Sequence, residues 1–326
     1  MSSLTGNLGL VKHASGYEGW ADDMNANLDE IDNVLADISK SNIFINPMLR
    51  FWQRGTSLTG VSGDKYLADR WINYLGSTRC IVSRQEFTPG QTDVPCEPQY
   101  YHRLFSPAGY LTQSSQRIED VRTCAGQKTV LSFYARADKP QTAGIWVAQD
   151  FGSGGSTWVL VDNTSYNLTT SWQRYVFPVD IPSISGKTIG TSSNLMVGFN
   201  RLIAPEDMNI DFALPQFNLG SVPLPFKPRP IGQELALCQR YYQTENMLCR
   251  TLGDGTTHYE CEWIPFKDTM RAVPTCVVTG DISDGDSFTL WNSLVPMTYG
   301  IFVSKLIQST DRFIDVSSFT ADAELY

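Results

Sequence analysis

Three stretches of strict apolar alternation constrain this chain more than anything else in it: Tyr175-Phe177-Val179-Ile181, Leu195-Val197-Phe199 and Met208-Ile210-Phe212-Leu214. A period of two puts every second side chain on one face of an extended strand, so each run can present an apolar face to a core. The interleaved residues differ between runs. Asn209, Asp211 and Ala213 are small or polar, whereas Arg174, Val176, Pro178 and Asp180 make the other face of the first run mixed. Residues 42 to about 226 read throughout as short strands separated by turn chemistry, and a two-sheet jelly roll satisfies these alternations most simply. The 17 prolines and 25 glycines supply the turns, and 42% hydrophobic against 18% charged content suits packed domains.

The chain outside this stretch reads differently. Trp20, Met24, Leu28, Ile31, Leu35 and Ile38 form one helical stripe, with Asp22, Asp23, Asp29, Glu30, Asp32 and Asp37 mainly off it. From Met24 onward the spacing is heptad-like. Two readings stay open: parallel self-association through Met24, Leu28, Ile31, Leu35 and Ile38, or an amphipathic helix packed on its own sandwich. At the other end, Pro223, Pro225, Pro228 and Pro230 cannot donate ladder hydrogen bonds and mark an extended connector. Leu235, Cys238 and Tyr242 then recur at helical spacing. Strand signals resume at 258–266, 271–279, 286–291, 298–304 and 311–319, broken by GDGTT and TGDISDGD turns. The expected fold is therefore mainly β: an arm and helix at 1–41, a jelly-roll β-sandwich at 42–228, a proline-led linker and short helix at 229–242, and a smaller C-terminal β-domain at 243–326. The modest apolar content of that last domain favours burial against sister chains.

Charge and motif content narrow the chemistry. A net charge of −9 gives no basic footprint for nucleic acid or an anionic membrane. The N-terminus lacks a charged segment followed by an apolar run, and no stretch reaches about 18 consecutive apolar residues, so synthesis in a cytosol without membrane spanning is expected. Seven cysteines (80, 96, 124, 238, 249, 261 and 276) are odd in number and lack CxxC pairs, which favours buried thiols over a zinc ribbon or disulfide framework. No GxSxG or HExxH occurs, and His13, His102 and His258 have no motif partners. Glu119 with Asp120, and Asp281 with Asp284 and Asp286, are adjacent or in turns, where solvated loops are the ordinary role; DISDGD also lacks full EF-hand spacing. No catalytic residues, cofactor or metal are expected.

FGSGGSTW (Phe151 to Trp158) has no lysine after it and no helix to follow, so it reads as a flexible hairpin connection rather than a phosphate loop. Its tip is flanked by Trp146, Phe151 and Trp158, and aromatic faces beside polar loops are what sugar rings stack against. The candidate glycan contacts are Trp146, Trp158 and Tyr166, with Asp162 and Asn163 as hydrogen-bonding neighbours. Trp263, Trp291 and Tyr299 form a second set. Against both stands the usual place of a strand tryptophan, which is the core.

NPMLRFWQRGTSLTG, from Asn46 to Gly60, sets Phe51 and Trp52 beside an Arg54-Gly55 turn, as a strand entering a sandwich would if its corner needs a positive-φ glycine. Taken with GYEGWADDMNANLDEID, ADRW (Ala68 to Trp71), SSQRIEDVRTCAGQKTVLSFYARAD, TSWQRYVFPVDIP, DFALPQFNLGSVPLPFKPRPIGQELALCQRYYQ, MRAVPT and ADAEL, it resembles the virion-associated fibre proteins of tailed bacteriophages. The resemblance implies a helical N-terminal portion, a jelly roll similar to carbohydrate-binding modules of the galactose-binding type, and a small C-terminal β-domain, often in a homotrimer. It also implies location in a virion assembled in the host cytoplasm, with other virion proteins as partners and host-surface polysaccharide as ligand. Asn218 in QFN departs from the acid of the QLE-like motif. The expected function is a non-enzymatic, trimeric tail-fibre component that binds host glycans, with Met1 to Ser15 as an attachment arm. The alternatives are an architectural adaptor or capsid-surface fibre with no glycan binding, and a glycan-degrading tailspike.

Overall fold

All three alternating runs fall in strands of one antiparallel sandwich, except Ile181, which follows the last residue of its strand. The computed structural model describes residues 3–4, 11–12, 24–29, 31, 42–252, 258–282, 287–288, 293–307 and 313–326. Two units emerge from the packing, one of Met1–Arg50 with Gly55–Pro228 and one of Phe51–Arg54 with Arg229–Tyr326. In the first, β1 (Ser3–Leu4) pairs with β2 (Val11–Lys12). The sandwich strands follow: β3 (Ser57–Leu58), β4 (Gly63–Tyr66), β5 (Ile72–Leu75), β6 (Ile81–Glu86), β7 (Tyr100–Ser106), β8 (Leu111–Glu119), β9 (Lys128–Ala137), β10 (Gln141–Asp150), β11 (Val159–Asp162), β12 (Ser165–Leu168), β13 (Gln173–Asp180), β14 (Asn194–Ile203) and β15 (Met208–Leu219).

One sheet has the order β11-β10-β14-β8-β5-β4, with β12 also on β10; the other runs β13-β9-β15-β7-β6-β3. Successive strands alternate between the sheets over much of the chain, giving a jelly-roll sandwich. Leu195, Val197, Phe199, Met208, Ile210 and Phe212 all point into the core. Phe133 stacks on Phe199 at 4.3 Å, and Trp71 meets Phe44, Phe199 and Phe212 within 5.8 Å. His102 is enclosed with them, stacked on Phe212 at 4.5 Å, and burial pushes its pKa down to about 3. The other side of the second sheet is covered too: Phe87, Tyr101 and Trp172 pack together, and Asp211 bridges Arg103 (2.7 Å) and Arg136 (3.0 Å).

The NPMLR and ADRW segments are tied to each other. Asn46, buried and left-handed at φ 56°, donates from Nδ2 to the Asp69 carbonyl, while its own carbonyl accepts from Trp71 Nε1 and Leu49 N. Its Oδ1 accepts from Arg50 N. Gly55 has the positive φ expected of it, at 105°. Phe51–Arg54, however, forms no strand of the sandwich and belongs to the second unit. Gln53 Nε2 donates to the Tyr242 carbonyl, and the Arg54 guanidinium sits 3.6 Å from the Tyr242 ring centroid while pairing with Asp322 and Glu324. Cationic and hydrogen-bonding groups here outweigh the strand propensity of two aromatics.

That second unit contains the helix Ile231–Gln239, then β16 (Tyr242–Leu252), β17 (His258–Pro265), β18 (Thr275–Ile282), β19 (Ser287–Phe288), β20 (Ser293–Met297), β21 (Gly300–Ile307) and β22 (Phe313–Asp322). Its sheets run β16-β22-β18-β19 and β17-β21-β20, and Ile264, Phe266, Met270, Ile301, Phe319, Ala321 and Ala323 make a core. The helix stops before Tyr242, which opens a strand that periodicity did not signal. GDGTT (residues 253–257) lies outside the described residues.

Residues 24–29 and 31 are helical; Met24 is 46% and Ile31 49% exposed, and Leu28 is half-buried. Leu35 and Ile38 lie outside the described residues. Among the described cysteines whose side chains are placed, Cys80, Cys124 and Cys238 are buried and Cys276 partly so, in keeping with mostly buried thiols, while Cys96 is exposed. No helix among the described residues is long and apolar enough to cross a membrane.

Candidate functional site

A cleft of about 360 Å³ opens on the outer face of the first sheet, lined by Asp64, Tyr74, Leu111, Gln113, Ser115, Arg117, Trp146, Ala148, Asp150, Trp158, Met196 and Arg201. Alternation explains the membership. On β10, Ile145 and Val147 face the core, so Trp146, Ala148 and Asp150 face outward. Register sets Trp146 beside Gly198, and Ala148 beside Met196. Gly198 keeps the floor low, since a methyl there would come within 3.0 Å of Gln113 Nε2 and Ser115 Cβ.

Trp146 and Trp158 sit 5.8 Å apart, and Trp158 is 52% exposed. The Arg201 guanidinium lies 5.0 Å from the Trp146 ring centroid. Arg117 donates to Asp64 at 2.7 Å. Asp150 accepts from Gly152 N at 2.9 Å and from Asn194 Nδ2 at 3.4 Å. The site thus offers aromatic faces, amide and hydroxyl groups, one guanidinium–carboxylate pair, a second guanidinium and a second carboxylate, the chemistry of hydrogen bonding to a polyhydroxylated ligand.

The loop that carries Trp158 differs from the flexible hairpin expected of FGSGGSTW. Ser153 and Thr191 exchange both backbone hydrogen bonds at 3.0 Å, Gly190 N donates to the Phe151 carbonyl, and Ser156 N donates to that of Thr188. Glycine is required for this clasp: a methyl on Gly152 would meet Thr191 O at 2.1 Å, and one on Gly190 would meet Ser153 O at 2.1 Å. The glycines permit close backbone approach rather than freedom.

Of the candidate contacts, the structure brings Trp146 and Trp158 together in the cleft and leaves the others elsewhere. Tyr166 is a correction: its ring is in the core against Phe133, Tyr175 and Phe177, because alternation on β12 turns it inward. Its hydroxyl donates to Asn200 Oδ1 at 2.7 Å and accepts from Asn200 N at 2.9 Å. Burial raises the Tyr166 pKa well above the ordinary phenol range, which keeps that donor proton in place. Asp162 is not in the cleft lining either; it caps its own turn, accepting from Thr164 N and Oγ1, with Asn163 exposed between them. In the second unit Trp263 and Tyr299 are 5.4 Å apart and exposed, while Trp291 lies outside the described residues. Asn218 is buried on β15, donating to the Leu219 carbonyl. Among the described residues no group of three or more His, Cys, Asp or Glu is placed to hold a metal ion.

Sequence reasoning missed Arg201, Asp64, Arg117, Gln113 and Tyr74. Arg201 carries a readable signal: apolar spacing goes Leu195, Val197, Phe199, then Leu202, and a jump from two to three marks a bulge. The register shift between Phe199 and Leu202 is that bulge, with Asn200 left-handed at φ 54°. The remaining four come from β4, β5 and β8, whose adjacency is set by long-range pairing.

No protein-family model matches the chain, and no curated protein matches it. Solved structures similar in part include the xylan-binding CBM22-1 domain of Paenibacillus barcinonensis Xyn10C (10% identity, 57% of this chain and 98% of that one, TM-score 0.36). TmCBM61 in complex with β-1,4-galactotriose matches at 11% identity over 55% of this chain and 99% of that one, with TM-score 0.33. The enzymatically active domain of bacteriophage CBA120 tailspike protein 4 matches at 15% identity over 55% of this chain but 21% of that one, with TM-score 0.35. The sandwich assignment rests on strand order and register, not on these likenesses.

Proposed function

We propose that this chain is a non-catalytic glycan-binding protein whose ligand lies in the cleft on the first sheet. The observation that carries this reading is the Trp146–Trp158 pair, half open to solvent above a floor of Gly198, Ser115 and Ala148. Sugar rings present apolar C–H faces to such surfaces and hydroxyls to Gln113, Tyr74 and the charged groups around them. The spacing of the acids argues against hydrolysis. Asp64 on β4 and Asp150 on β10 are four strand steps apart, about 19 Å along the sheet, whereas a hydrolytic pair needs roughly 5 to 9.5 Å.

The setting that best fits the sequence blocks is a tailed-phage fibre. In it the helical segment with exposed Met24 and Ile31 associates chains into trimers, and the cleft engages host-surface polysaccharide. Multivalency then turns weak single-site binding into adhesion. The test is titration of full-length protein against a panel of bacterial surface polysaccharides, beside Trp146→Ala and Trp158→Ala. Saturable binding lost in both variants is expected. Absence of binding to every glycan would favour the architectural role instead, and release of reducing sugar would favour a tailspike.

A further inference from the structure

Arg201 is a cleft residue to which the binding reading above gives no role of its own. Its guanidinium lies over Trp146, and among the described residues no carboxylate pairs with it. The other charges are accounted for: Arg117 is paired with Asp64, and Asp150 accepts from Gly152 and Asn194. Asp150 is also distant along the strands, since it pairs with Asn194 while Arg201 pairs with Gly144, six residues away on β10. That separation is about 20 Å of extended chain. A guanidinium held over an indole face by a cation–π contact keeps its N–H donors available, which suits bidentate capture of a planar carboxylate.

How Arg201 comes to face the cleft is specific. Met196 and Gly198 face outward, and unbroken alternation would put Asn200 and Leu202 there next. Instead both are buried, and Arg201 and Ile203 are exposed. The switch of parity occurs at the bulge, where Asn200 takes a left-handed conformation. The Tyr166 hydroxyl holds that residue twice, by donating to its side chain and accepting from its backbone N–H. A core tyrosine therefore determines which way the arginine points.

We infer that the cleft takes an acidic glycan whose sugar carboxylate is bound by Arg201, with Tyr166 and Asn200 as positioning residues that turn Arg201 into the cleft. This rests on the glycan-binding reading. The Trp146 and Trp158 faces stack on the sugar ring, and the carboxylate lies at the Arg201 end. The Asp150 end, which carries its own negative charge, receives neutral hydroxyls. A chain with net charge −9 repels anionic polymers in general, so one directed guanidinium gives selectivity rather than bulk attraction.

The experiment is calorimetric titration of the full-length protein with polygalacturonate, alginate and hyaluronate, each beside its carboxyl-reduced product, and with neutral xylan and laminarin. At least one carboxylated polymer is expected to bind roughly 10- to 100-fold more tightly than its reduced form. Arg201→Gln should abolish that preference by lowering the affinity of the carboxylated polymer to that of its reduced form, with Arg201→Lys restoring only part of it. Tyr166→Phe should likewise shrink the preference while binding of the reduced polymer persists, a split that general loosening of the fold would not produce. Equal binding of both forms, equal loss of both in Arg201→Gln, or binding of the neutral polymers alone would overturn the acidic specificity. Those outcomes leave the glycan-binding reading standing if Trp146→Ala still abolishes binding. No binding to any polymer overturns both.

Discussion

Asn46 joins two segments through both its side chain and its backbone while sitting in a conformation that most residues resist. Replacing it with alanine removes the side-chain bonds to Asp69 and Arg50 and leaves at φ 56° a residue that tolerates the left-handed region less well than asparagine. The expected cost is about 3 kcal/mol, read as a lower urea midpoint without loss of the sandwich. His102 gives a pH prediction. The unfolded chain takes the imidazole proton near 6.5, the folded chain only near 3. Below 6.5 the unfolded state therefore binds the extra proton, and stability falls as pH drops through that window, by about 1.4 kcal/mol per unit for this one group. Unfolding curves between pH 7 and pH 4 should show His102→Phe with a shallower acid slope than the wild type. Single residues were partly legible in the sequence. Trp146 and Trp158 were found because aromatics beside a glycine-rich loop carry a chemical signal, and Tyr166 was misplaced because a tyrosine in a short strand looks the same facing in or out.

At the level of strands and loops, the paired backbones of 151–156 and 188–191 hold Trp158 in place. Gly190→Ala introduces a methyl that the Ser153 carbonyl already excludes. It should open the clasp, weaken glycan binding at least tenfold through displacement of Trp158, and lower the unfolding temperature by a few degrees. Saturation binding together with a melting curve checks both halves. Strand existence in the sandwich could be read from alternation, because a buried face enforces period two over Leu195 to Phe199 and Met208 to Leu214. Strand order could not, since the pairing of β8 with β5 and β14 depends on contacts far apart in sequence. The same limit hid the destination of Phe51–Arg54: its partners Tyr242, Asp322 and Glu324 come at least 188 residues after Arg54.

For the whole chain, removing residues 1–41 tests the proposed trimer. Sedimentation should change from a trimeric to a monomeric mass, and adhesion to a glycan-coated surface should fall by roughly 100-fold or more while affinity for a short oligosaccharide stays unchanged. The second unit has its own test. Glu324 has no exposed side-chain surface, and Arg54 is one of its ionic partners. Arg54→Ala should destabilise this unit by about 3 kcal/mol, seen as an earlier unfolding transition. Its four-residue piece also has a consequence for the order of synthesis. Arg54 leaves the ribosome 268 residues before Asp322, which at cellular elongation rates is a wait of roughly 13 to 54 s. During translation the sandwich strands can pair while the partners of Phe51–Arg54 do not yet exist, so Asp322 and Glu324 complete a unit whose first residues were made long before.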